Sequence, residues 1–165
     1  MNKQDMLVLF RYNQWSTQKI MNATAHVTAE QFLAHADFPH GGLRSTLVHA
    51  LFAAWIWRER WEGQSPSTRL KPEDFPTFEA LRTRFEEEER KLIAFAETLT
   101  DERLNGKFAY KDTKGNPHER TLWHAMVHLV NHGTQHKTEA AAMLTGFGHS
   151  PGDIDMIIYM MENQL

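Results

Sequence analysis

Residues 121–145 read TLWHAMVHLVNHGTQHKTEAAAMLT, and this stretch decides the fold. Leu122, Met126, Leu129, Gly133, Ala140 and Leu144 recur three, four or seven positions apart, the spacing of an α-helix with one face turned to a core. The pattern predicts a helix from about Thr121 to Thr145, with Gly146 placed to end it. Four histidines, His124, His128, His132 and His136, punctuate the same stretch.

Three more long helices are expected on its N-terminal side. Residues 5–24 carry Met6, Leu9, Phe10, Ile20 and Met21 without glycine or proline. Pro39, Gly41 and Gly42 then break the chain. A second helix is expected from about Leu43 to Trp61, where LVHALFAAWIW (47–57) is apolar at every position but His49; a helix apolar all round is buried on most sides, which puts His49 inside. After a polar connection from Gly63 to Pro76, Phe78, Leu81, Phe85, Leu92, Phe95 and Leu99 mark a charged third helix over about 75–99. The run Glu86–Glu89 in its middle reads first as a solvated face, although Glu88 or Glu89 must fall close enough to the apolar stripe to serve as an acceptor beside a buried site. KFAYKDTKGNPHER (107–120) alternates around a Gly-Asn-Pro turn and predicts a small β-hairpin. Ser150 and Pro151 are placed to cap and start a short closing helix over the apolar run Ile154 to Met161. The expectation is a single all-α domain over 1–165, a four-helix bundle with a hairpin before the last long helix.

Composition narrows the function. The 165 residues include no cysteine, which excludes disulfides, thiolate ligands and a cysteine nucleophile. A net charge of −3 without a basic stripe disfavours nucleic acid. No apolar run reaches the roughly 20 residues that span a bilayer, and the N-terminus lacks the basic opening and cleavage site of a secretory signal, so the expected location is cytoplasmic.

The histidines point to a metal. Residues four apart on a helix share a side, so two imidazoles at that spacing can converge on one ion. At about 100° per residue, His136 lies roughly 40° from the centre of the inward stripe, His132 roughly 80°, His128 near 120° and His124 near 160°. The inner pair is therefore His132 and His136, with His49 from the buried second helix as a third nitrogen ligand. Three polar rings in a low-dielectric interior cost about 1–3 kcal/mol for each group left unpaired, and one divalent ion satisfies all three. Imidazole suits Zn²⁺, Ni²⁺, Fe²⁺ or Co²⁺. The HExxH protease signature is absent, since Gly133, Thr134 and Gln135 separate the pair.

The stretches VHLVNHGTQHKTEAAAMLTGFG (127–148) and GGLRSTLVHALFAAWIWRERW (41–61) resemble the DinB/YfiT family of damage-inducible metal-binding proteins, which is distinct from the polymerase sharing that name. The resemblance covers nearly the whole chain, including the closing DIDMIIYMME. It implies an up-down-down-up four-helix bundle, frequent homodimers, and three metal ligands falling on His49, His132 and His136. Family members often read His-His-Arg-Gly-Gln where this chain has Gln135, His136, Lys137, Thr138 and Glu139, which spares the ligand and changes the residues after it. Relatives include S-transferases that use low-molecular-weight thiols, an isomerase and members without known activity. The resemblance leaves two readings: a metal-dependent enzyme activating a thiol or water for S-transfer or hydrolysis, and a non-catalytic stress-response module stapled by its ion. Trp57 and Tyr159 are the aromatic candidates for a substrate pocket.

Overall fold

Asn2 opens the first helix. Its side chain accepts from the Asp5 amide at 2.9 Å while the Asp5 carboxylate accepts from the Asn2 amide at 3.1 Å, a reciprocal cap that starts α1 (Lys3–Thr24). The computed structural model describes residues 1–165. Thr28 and Gln31 repeat that reciprocal cap for the one-turn α2 (Ala29–Leu33). Next comes α3 (Leu43–Trp61), then a connection holding a 3-10 turn at Pro72–Asp74. Thr77 caps α4 (Phe78–Thr98) and Thr100 caps the short α5 (Asp101–Asn105). Strands β1 (Lys107–Lys111) and β2 (Pro117–Thr121) pair antiparallel with Lys107 opposite Thr121. The chain closes with α6 (Leu122–Gly146) and α7 (Met156–Glu162).

The chain is mostly helical with a small hairpin, as the periodicity predicts, and the four long helices fall within three residues of the expected bounds. Two short helices, α2 and α5, go beyond the expectation; their threonine caps are readable, but five residues are too few to show a period. The closing helix starts later than expected. Ser150 turns its hydroxyl to the Gly152 amide at 3.2 Å, Gly152 takes a positive φ of 72°, and the helix is capped instead by Asp155, which accepts from Ile157 N at 3.2 Å.

Both α1 and α3 pack against α6 and against α4. The core between them falls into two apolar halves. One, towards the hairpin, gathers Phe10, Trp61, Leu92 and Leu129; the other gathers Ile20, Leu51, Leu81 and Leu144. Between these halves each of α1, α4 and α6 places buried polar residues: Ser16 and Thr17, Glu88 and Glu89, His136 and Lys137.

This polar waist is internally bonded. Lys137 Nζ donates to Asn13 O at 3.1 Å, Asn13 Oδ1 at 2.8 Å and Ser16 Oγ at 2.6 Å. Gly133 permits that approach, because a Cβ there would meet Asn13 Oδ1 at 2.7 Å. Burial pulls the Lys137 ammonium pKa down and pushes the Glu89 carboxyl up, and the attraction between the two groups opposes both shifts. Glu88, fully buried, accepts from Arg58 Nε and Nη2 and from Arg84 Nη1 at 3.0 Å. The solvated-face expectation thus fails for Glu88 and Glu89, because arginines on α3 and α4 and the lysine on α6 make their burial tolerable. Glu86 and Glu87 do remain at the surface edge, paired with Arg82 and Lys91.

Replacing one member of a buried ion pair strands the other, at a typical cost of about 3–5 kcal/mol. Because Glu59 and Glu62 also reach Arg58, Glu88→Ala is expected to lose about 3 kcal/mol of unfolding free energy and Glu88→Gln less. Denaturant titration checks this, and a loss under about 1 kcal/mol would place the carboxylate among solvent-screened surface pairs.

Candidate metal centre

Three elements deliver four imidazoles to one place. His49 comes from α3 and His132 and His136 from α6, one turn apart; His40 comes from the loop before α3. That loop is held closed by hydrogen bonds from Ala36 N to Gly41 O and from Gly41 N to Phe38 O. Gly41 takes φ +93°, and a Cβ on Gly42 would collide with Ala34 O, so the Gly-Gly pair after His40 is a steric requirement of the turn. The turn lays His40 on His49, with ring centroids 3.8 Å apart and planes 17° apart.

His132 Nε2 stands 3.2 Å from His49 Nε2 and 3.2 Å from His136 Nε2. One ligand atom each from His40, His49 and His136 also lie within 4.8 Å of one another, a grouping able to hold a metal ion. The structure therefore gathers the three histidines expected from sequence and adds His40. A wheel drawn on one helix could not reach a loop residue, although the glycine pair just before a helix start was a signal that His40 would be turned back toward it.

His136 is buried and its Nδ1 lies 2.8 Å from Glu139 Oε2. A carboxylate only accepts here, so His136 Nδ1 carries a proton, and in the neutral ring Nε2 then keeps its lone pair, facing His132. Glu139, three residues on, is the acceptor that the sequence suggested in Glu88 or Glu89; those two serve the arginines and the waist instead. Lys137 likewise turns to α1 rather than to the histidines. His124 and His128 are exposed, in keeping with their outer positions on the wheel. Tyr159 is buried against Tyr12 and Trp15, part of the core and not of a pocket.

Burial first, then the neighbouring imidazoles, hold His132 down to about 3 and His49 down to about 4. His40 is lowered for the same reasons, burial and then His136. These rings are neutral near pH 7, the form that ligates metal.

The residues fit an ion. With His136 Nε2 bare, a proton on either His132 Nε2 or His49 Nε2 satisfies only one of the two 3.2 Å contacts, and the other is left without a proton between its nitrogens. Metal–imidazole bonds of about 2.0–2.1 Å place neighbouring nitrogens about 3.0–3.4 Å apart, which brackets the two spacings at His132 Nε2. Glu139 behind His136 supplies the outer carboxylate that commonly orients a ligating histidine.

The model of the DinB family matches residues 1–164. The chain belongs to the DinB family. It is also similar to Protein DinB of Bacillus subtilis (strain 168), at 23% identity over 163 residues, covering 94% of this chain and 95% of that protein.

Loss of an outer-shell partner typically costs 10–100-fold in metal affinity. Glu139→Ala is accordingly expected to weaken metal binding about 10-fold or more, while Glu139→Gln, which keeps an acceptor, stays nearer the parent. Competition against a chromophoric chelator reads both, and identical affinities for Glu139→Ala and the parent would deny the carboxylate this role.

Proposed function

We propose that this DinB-family chain is a divalent-metal-dependent enzyme in which His49, His132 and His136 hold the ion, and that it acts on a thiol or water in S-transfer or hydrolysis. The observation that carries this reading is the meeting of three Nε2 atoms at His132, with one lone pair fixed by Glu139. Zn²⁺ or Ni²⁺ suits such a neutral nitrogen set, as do Fe²⁺ and Co²⁺. When bound, a divalent ion supplies the Lewis acidity that makes a thiol or water nucleophilic near neutral pH.

The chain's own residues do the rest. Glu139 keeps the His136 proton on Nδ1, and the low pKa values of His49 and His132 keep those rings unprotonated and available. A cleft bordered by His40, Ser45, His49, Phe52 and Arg69, about 200 Å³ in volume, gives small molecules a path to the α3 side of the cluster. The ring of contacts among α1, α6, α3 and α4 supports the up-down-down-up four-helix bundle. No helix is long and apolar enough to cross a membrane. A homodimer and damage-linked expression belong to the same reading through the family.

The alternative is an ion that only staples α3 to α6. Its support is that the histidines sit beside the buried waist joining the two core halves.

Elemental analysis of untagged protein is expected to return about one divalent ion per chain, and His49→Ala or His132→Ala to lose it. A variant that kept a full equivalent would remove that residue from the ligand set. Metal-loaded protein is then assayed with thiols and electrophiles and with hydrolase substrates. Turnover abolished by chelation, with little change in melting temperature, supports the enzyme; a large fall in melting temperature without any turnover supports the staple.

A further inference from the structure

Arg58 and Arg60 are both buried near the end of α3, and only one of them is paired. Arg58 takes Glu59, Glu62 and Glu88. Arg60 is 8% exposed, donates no side-chain hydrogen bond within the protein, and its Nε is sealed from solvent. What it has instead is aromatic surface: its guanidinium carbon lies 4.9 Å from the Trp57 ring centroid and 4.8 Å from that of Tyr110. A buried cation without an anion is costly, and cation–π contact offsets only part of that cost.

Asp112, the carboxylate whose charge is felt at Arg60, makes no ion pair with it. Its oxygens accept from the amides of Lys114 and Asn116 and from Asn116 Nδ2, and face His118 Nε2 at 3.2 Å.

Trp57 and Tyr110, the two rings touching Arg60, also wall a cleft of about 330 Å³ completed by Arg120, His124, Ala125 and His128. No carboxylate lines it. His128 packs on Trp57 at 5.5 Å between centroids and on His132 at 5.7 Å, so this wall residue of the cleft adjoins the histidine cluster along α6. Its volume lies at the lower end of the range for small-molecule sites, and its lining combines apolar rings with a few convergent donors, as such sites do.

We infer that this cleft binds a small organic anion, a carboxylate on a flat apolar body, with its charge met by Arg120 on the cleft wall, its body against Trp57 and Tyr110, and Arg60 adding positive charge from behind those two rings. His124 and His128, which the metal cluster leaves out, then become donors on the cleft wall. The direction of the ligand's other end, toward His132, rests on the catalytic reading above; the anion site itself does not.

Benzoate is the probe, with benzamide as its neutral isostere. Each is titrated into metal-loaded and into chelator-treated protein, and binding is followed by NMR at the Trp57 indole N–H and the Tyr110 amide. Benzoate is expected to bind saturably at least about 10-fold tighter than benzamide, in both protein states, as charge-assisted pairing to arginine requires. Arg120→Met, at an exposed position where folding is not at stake, is expected to remove that preference, Arg120→Lys to keep part of it, and Arg60→Met, behind the rings, to weaken benzoate about threefold or more.

Equal affinity for the two probes overturns the anion site, as does an Arg120→Met variant that binds benzoate like the parent. Benzoate binding that vanishes on chelation also overturns it, because the carboxylate then sits on the ion. Retained binding in a protein that takes up no metal supports the anion site while removing the metal reading, so the two can fail separately.

Discussion

Each of the four long helices carries a polar or charged side chain into the interior, and those groups must find one another there. Arg58 meets Glu88, and Lys137 meets Asn13 and Ser16, within a layer that separates two apolar halves of the core. Apolar surfaces can slide by a turn with modest loss if volume is kept, whereas a buried donor displaced from its acceptor forfeits its solvation outright. The waist therefore sets the register of α1, α3 and α4 against α6. Once that register is set, His49 on α3 has to face His132 and His136 on α6, and the histidine cluster is a product of the same constraint that orders the core.

Periodicity makes the long helices and the hairpin readable, because Leu122 to Leu144 and LVHALFAAWIW repeat over many turns. It also selects His49, His132 and His136 for proximity, since burial and angular position on a helix are both encoded in nearest neighbours along the chain. The features that escape it are non-local. His40 depends on a loop closed by two glycines, and Glu88 owes its burial to Arg58, thirty positions upstream. No window of sequence contains both members of such a pair. Glu139 is the instructive exception: three residues after His136 on the same helix, it lies within reach of the wheel, but the acidic run on α4 is the more conspicuous source of a carboxylate and points to the wrong helix.

Along α6 the polar positions form an ordered series. His124 and His128 face the cleft by the hairpin, His132 and His136 the cluster, and Lys137 the waist. One helix thus carries the polar positions of three environments with different accessibility, separated by a turn or less. The hairpin contributes Tyr110 to the same series, which gives it a part in the site beyond covering the end of the core.

The chain contains no cysteine, and every atom gathered at the cluster is nitrogen. Thiolate sites surrender their ions when sulfur climbs from sulfenic to sulfonic acid, or when disulfides form. Imidazole has no counterpart to that ladder. An ion held here has no sulfur ligand to lose, so the thiol oxidation by which peroxide empties a zinc–thiolate finger has no target at this site.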